Sequence, residues 1–213
     1  MQTVAQGEQA QNITQIGKGA PIAVIDIGSN SIRLVIYASS GRYPFPLFNE
    51  RSNCRLGEGL GADGMLQEER IAVSLDALAR FASIMKSMGV VKTHAVATAA
   101  VRRAVNAADF TVPAGQILGE PISVLSQTDE AHHVSRGLTL NLPHATGFVA
   151  DLGGGSLEIV DLEAGKMQHS TSFNFGHLSE VGSDEIEAAM KSVPWLVDNR
   201  HNTLYGVGGS FRA

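Results

Sequence analysis

Cysteine is nearly absent: Cys54 is the only one among 213 residues. No disulfide can form within the chain, which fits a reducing, cytoplasmic location. Long apolar runs are missing too. None approaches the roughly 20 residues that a membrane-spanning helix needs. Residues 1–18 are polar and Gln-rich, with no apolar segment to serve as a secretory signal. Positive charge is not in surplus. Sixteen Lys and Arg face 21 Asp and Glu, for a formal net charge of −5. That argues against nucleic acid as a partner, since binders of a phosphate backbone carry a basic face. What is present is apolar material: 44% of residues are hydrophobic and 17% charged. This excludes a disordered chain, which lacks the residues to bury a core. Glycine is in excess, at 23 residues, against a usual share of about 7%.

The glycines cluster at particular places. Residues 1–19 read as a flexible tail without periodicity. Ile22 to Ile25 is a short strand signal running into Asp26-Ile27-Gly28-Ser29-Asn30-Ser31. Ile32 to Tyr37 then alternates as a second strand, so the pair reads as a hairpin around a polar turn. A third, irregular strand is expected across Phe45 to Arg55. Ile71, Leu75, Leu78, Ala82 and Met85 recur at helical spacing and predict a helix over 68–88, stopped by Gly89. A strand over 93–97, a short helix over 98–106, a strand over 122–125 and a helix over 128–140 follow. Thr128 is the expected N-cap of the last, with Asp129 and Glu130 in its first turn.

The design of residues 22–37 then repeats. Phe148-Val149-Ala150 leads into Asp151-Leu152-Gly153-Gly154-Gly155-Ser156, and Leu157 to Val160 continues as a strand. A strand over 166–175, a helix over 184–193 and a strand over 204–207 complete the reading. The last strand runs into Gly208-Gly209-Ser210.

Such turns have a chemical use. Glycine lets backbone N–H groups approach a phosphate with no Cβ in the way. Successive N–H groups make an anion-binding nest. Ser29, Asn30, Ser31 and Ser156 add side-chain donors. Asp26 and Asp151 can ligate Mg²⁺, usually through water. Either turn alone is explained by ordinary hairpin chemistry. Two matched copies, each led by an Asp at a strand end, point to a phosphate gripped from both sides. Gly208-Gly209-Ser210 by itself is a weak signal.

These residues resemble a known family. Asp26 to Leu34 is similar to the first phosphate motif of the exopolyphosphatase/guanosine pentaphosphate phosphatase (Ppx/GppA) family, within the actin-like ATPase (sugar kinase/Hsp70) superfamily. Arg55-Leu56-Gly57-Glu58-Gly59-Leu60, Ala97 to Arg102 with Asn106, and Ser126 to Ala131 resemble the segments that follow. Asp151 to Ser156 with Glu158 resembles the second phosphate motif, and Gly208-Gly209-Ser210 the late glycine motif. Gln127, Asp129 and His132 depart from the family pattern. The resemblance implies an α/β fold of two ribonuclease H-like lobes with mixed sheets flanked by helices. A first lobe over 20–143 and a second, partial lobe over 144–213 would meet at an active-site cleft.

The resemblance also implies an acid anhydride hydrolase that requires Mg²⁺. It would release terminal phosphate from polyphosphate, or from guanosine pentaphosphate of the stringent response. By position, Glu130 is the catalytic acid acting on water and Arg102 a phosphate-contacting arginine. Asp26, Asp151 and Glu158 are metal carboxylates. Gly28 to Ser31, Gly153 to Ser156 and Gly208 to Ser210 are phosphate contacts. An anionic substrate on a chain of net negative charge needs a local basic cleft. Arg33, Arg51, Arg55, Arg102 and Arg103 are available for it.

Two other functions compete: an ATP-dependent kinase or ATPase of the same superfamily, and a non-catalytic binder of polyphosphate or alarmone. No membrane partner is indicated, and a homodimer is left open because no pattern fixes oligomeric state. Asp129-Glu130 could equally serve the helix dipole. His132-His133 is a poor chelate, since adjacent helical residues face apart. Cys54 reads as a buried thiol, and Phe173, Phe175, Met85 and Met88 as packing.

Overall fold

The computed structural model describes residues 19–38, 44–60, 63–198, 201–209 and 211. Strand β1 (Ile22–Ile27) and strand β2 (Ile32–Tyr37) pair antiparallel, with Ile27 opposite Ile32 and Asp26 opposite Arg33. The hairpin expected from the sequence is therefore present, closed by Gly28 to Ser31. Strand β3 (Pro46–Ser52) lies antiparallel on the outer side of β2. It ends three residues before the expected Arg55. Strands β4 (Lys92–Ala97) and β5 (Ser123–Val124) extend the other side in parallel, giving the order β3-β2-β1-β4-β5.

The second sheet repeats this plan. Strands β6 (Gly147–Leu152) and β7 (Leu157–Glu163) form the hairpin, β8 (Lys166–Phe173) pairs antiparallel outside β7, and β9 (Leu204–Val207) lies parallel to β6. Its order, β8-β7-β6-β9, matches the first four strands of the first sheet. The sequence repeat is thus a repeat of topology. Both turns fall at corresponding corners.

Alternation fixes which faces pack. On β1 and β2, Ala23, Ile25, Ile27, Ile32, Leu34 and Ile36 are all buried, two residues apart. Against them lie α1 (Glu68–Ser87), through Ile71, Leu78, Phe81 and Met85, and α3 (Ala107–Leu118), through Phe110, Ala114 and Leu118. The short α2 (Ala99–Arg103) leads from β4 into α3.

The sequence predicts one short helix over 98–106 and nothing after it, whereas the chain breaks at Ala104 and starts α3 at Ala107. Pro113 inside α3 hides it, because an interior proline removes a backbone hydrogen bond. The buried stripe at 110, 114 and 118 outweighs that loss.

Strand β7 is buried along six of its seven residues because both sheet faces are covered. On one side, Val149, Val160 and Leu162 meet Ala131, Val134 and Leu138 of α4 (Gln127–Thr139). On the other, Ala150, Leu157, Ile159 and Phe173 meet Ala189, Met190, Trp195 and Leu196. These come from α5 (Ser183–Lys191) and α6 (Pro194–Val197). One helix was expected over 184–193. Pro194 instead begins a separate turn, the position where proline is tolerated in a helix.

Helix α4 departs from the expected lobe boundary at residue 143. It packs on β7 and β8 of the second sheet, because its apolar stripe matches that face. Among the described residues no helix is long and apolar enough to cross a membrane.

Phe81 is fully buried between the first sheet and α3. Truncation to Ala leaves a cavity there, and the expected loss of stability is about 3–5 kcal/mol. A urea titration checks it through the unfolding midpoint.

Candidate active site

The two hairpin turns face a common cavity of about 660 Å³. Asp26, Gly28, Ser29, Asn30, Ser31 and Arg33 enter it from the first lobe, and Asp151, Gly153, Gly154 and Glu158 from the second. Gly208 and Gly209 close another side. Each turn is pinned in the same way. Gly28 N–H donates to Ser31 O at 3.0 Å, and Gly153 N–H to Ser156 O at 2.9 Å. The first turn is also buttressed from outside, where Arg55 N–H donates to Asn30 O and Gly57 N–H to Ser29 O.

Most of the expected residues are brought together here. Ser156 is buried and is not among the residues lining the cavity. Gly155 lines an adjoining cavity of about 740 Å³, shared with Ser29, Asn30 and Gly154. Arg33 and Arg51 reach the first cavity, and Arg55 and Arg103 the second. Ser210 lies outside the described residues. Cys54 is buried and its thiol faces Ser52 O. His132 and His133 are exposed on α4, away from these walls. Phe173 and Phe175 stack on each other within the second core, although β8 ends at Phe173.

The acids at 129 and 130 divide their labour. The N-cap of α4 is Ser126, not Thr128. Ser126 Oγ accepts from Asp129 N–H at 3.1 Å, and Asp129 Oδ2 accepts from Ser126 N–H at 3.2 Å. This reciprocal box satisfies two helix-end donors. The hydrogen bonds from Ser126 hold the Asp129 carboxyl below its ordinary range. Glu130, one residue on, turns into the cavity and pairs with Arg102 Nη1. The same nitrogen donates to Leu125 O at 2.9 Å. Arg102 Nη2 is buried with no hydrogen-bond partner among the described residues.

Carboxylates crowd this space. Desolvation first, and then the Glu158 charge, push Glu130 up to about 7 against the opposing pull of Arg102. Asp151 is raised to about 6 by desolvation, Glu158 and Asp26. Asp26 is open to the cleft water but set deep in it, and desolvation raises its carboxyl against the pull of Arg33. Glu158, in the buried strand, accepts from Ser172 Oγ at 3.0 Å. Among the described residues no three His, Cys, Asp or Glu side chains converge to chelate an ion directly.

The segment after β8 was missed by sequence reasoning. Gly176, His177 and Leu178 lie against the second turn, with His177 N–H donating to Gly153 O and Leu178 N–H to Gly154 O, each at 3.0 Å. A Cβ on Gly176 would stand 2.5 Å from Gly153 O, so only glycine allows this approach. Gly208 has φ +90°, and a Cβ there would stand 2.5 Å from Asp151 Oδ1. His177 follows no motif spacing, and only the glycine before it gave a signal.

This is the architecture of a two-lobed, actin-like phosphate-handling protein, with a Gly-rich turn from each lobe on one cleft. A sequence profile of the Ppx/GppA phosphatase family matches residues 34–179, and the chain belongs to that family. The fold is similar to an exopolyphosphatase from Cytophaga hutchinsonii, with a TM-score of 0.79 and 26% identity over 90% of this chain and 68% of that one. The Aquifex aeolicus PPX-GPPA enzyme matches at TM-score 0.70 and 26% identity, with the same two shares. The ethanolamine utilization protein EutJ from Carboxydothermus hydrogenoformans, at 16% identity and TM-score 0.53 over 92% of this chain and 79% of that one, shares the fold.

Gly176→Ala must push the segment off the second turn. The expected outcome is a folded protein whose affinity for phosphate ligands drops at least about tenfold, a loss of roughly 1.4 kcal/mol. Calorimetric titration with tripolyphosphate checks it.

Proposed function

We propose that this chain hydrolyses the terminal phosphoanhydride of inorganic polyphosphate, with guanosine pentaphosphate as a second substrate. One observation carries the reading: two matched, Asp-led turns face one cavity that also contains Glu130. The similar solved structure described as an exopolyphosphatase supports it.

In this reading Gly28 to Ser31 and Gly153 to Gly154 hold the terminal phosphate through N–H groups. Glu130 takes a proton from the attacking water, directed along the line of the leaving oxygen. Its raised pKa suits a base that works near neutrality. Arg102 keeps Glu130 in place until phosphate oxygens compete for the guanidinium, whose Nη2 has no acceptor among the described residues.

Asp26, Asp151 and Glu158 suit Mg²⁺. The Glu158 and Asp26 charges help to raise Asp151, and the spread of the three fits an ion that keeps several of its waters. When bound, the ion supplies neutralisation of charge on the transferring phosphoryl group.

Phosphate release is measured from long-chain polyphosphate, guanosine pentaphosphate and ATP, each with Mg²⁺ and with a chelator. The expected result is Mg²⁺-dependent release from polyphosphate. Turnover of ATP alone would instead indicate the kinase or ATPase reading, and polyphosphate binding without release a binder.

Glu130→Gln is expected to lower the rate about 10²–10⁴-fold while leaving binding intact. An unchanged rate would overturn the assignment of the base.

Only ionised Glu130 can accept a proton. Activity of the wild type therefore rises with pH through about 7 and levels off above it. A rate that is flat from pH 5 to 9 contradicts this.

A further inference from the structure

The imidazole of His177 lies across the seam between the two turns. Its Nδ1 is 3.0 Å from Gly153 O in the second lobe. Its Nε2 is 3.4 Å from Asn30 Nδ2 in the first lobe. The partners decide the tautomer. A carbonyl oxygen only accepts, so Nδ1 carries the proton. In the neutral ring Nε2 then has a lone pair, and the Asn30 amide donates to it. The backbone that carries the ring is held in place, because His177 N–H is bound to the same Gly153 oxygen and Gly176 leaves no slack against the turn.

We infer that His177 is a positioning residue that fixes the Asn30 amide and the spacing of the two phosphate turns. An asparagine amide has two N–H donors and one acceptor oxygen. With one donor held by His177, the group cannot flip, and its second donor keeps a set direction in the cavity that Asn30 lines. Without His177 the amide can turn its oxygen toward an anionic phosphate, which repels it. His177 therefore acts on substrate through Asn30. The inference rests on the reading of the cleft as a phosphoanhydride site.

Two measurements test it in the full chain. The first is long-range ¹⁵N–¹H NMR of the histidine rings at a pH where they are neutral. The signal of His177 is identified by its loss in His177→Asn. The expected result is the Nδ1–H tautomer, with an Nε2 shift that moves in Asn30→Ala. An Nε2–H tautomer overturns the inference, and it is read without turnover.

The second is a double-mutant cycle on polyphosphate hydrolysis. His177→Ala and Asn30→Ala should each lower kcat/KM about threefold to tenfold, the scale of one hydrogen bond. Together they should cost little more than Asn30→Ala alone. His177→Gln, which can present an acceptor to Asn30, should recover part of the loss, and His177→Leu should not. Additive losses overturn the inference. A wild type that hydrolyses no phosphoanhydride sinks the hydrolase reading, while the tautomer still decides the role of His177.

Discussion

Repulsion among carboxylates is the constraint around which this molecule is arranged. Asp26, Glu130, Asp151 and Glu158 share one cavity in a chain that is already anionic. Left free, such side chains would swing apart into water. Each is held by a different device. Asp26 stands on a strand opposite Arg33, Glu130 is paired with Arg102, and Glu158 is bound by Ser172 within a strand buried on both faces. Asp151 is confined by the turn at Gly208. The scaffold maintains a concentration of negative charge, and the raised Glu130 and Asp151 carboxyls are its signature.

A repeated strand plan gives the cleft its two sides, and the residues set on it make them unequal. The two sheets share a strand order, so the two turns occupy equivalent corners. At the position across from the leading Asp, the first copy has Arg33 and the second has Glu158. One turn therefore offers a cation beside its acid, whereas the other offers two acids. That difference in charge arises without any change of backbone plan.

Much of this was legible in the sequence because it is local. The alternation of Ile32, Leu34 and Ile36 and the Asp-led turns specify hairpins with no help from distant residues. The paired acids were visible too, but not their division of labour. That depends on Ser126 capping the helix two residues earlier than Thr128 would. Other features were hidden because tertiary contact overrides local preference. Pro113 argues against a helix, yet the stripe of Phe110, Ala114 and Leu118 against α1 sustains one. The lobe to which α4 belongs is set by the fit of Val134 and Leu138 to the second sheet. His177 sits on an irregular segment whose path is fixed by close approach to a turn 24 residues earlier, a distance that no periodicity reports.

Helix α4 has one further consequence. Its apolar stripe is seated on the second sheet, while its first turn carries the glutamate bonded to an arginine of the first lobe. Glu130 is therefore mounted on one lobe and latched to the other. A rotation of the lobes strains that latch before it disturbs either core. The orientation of Glu130 is in this way tied to the seating of one lobe against the other.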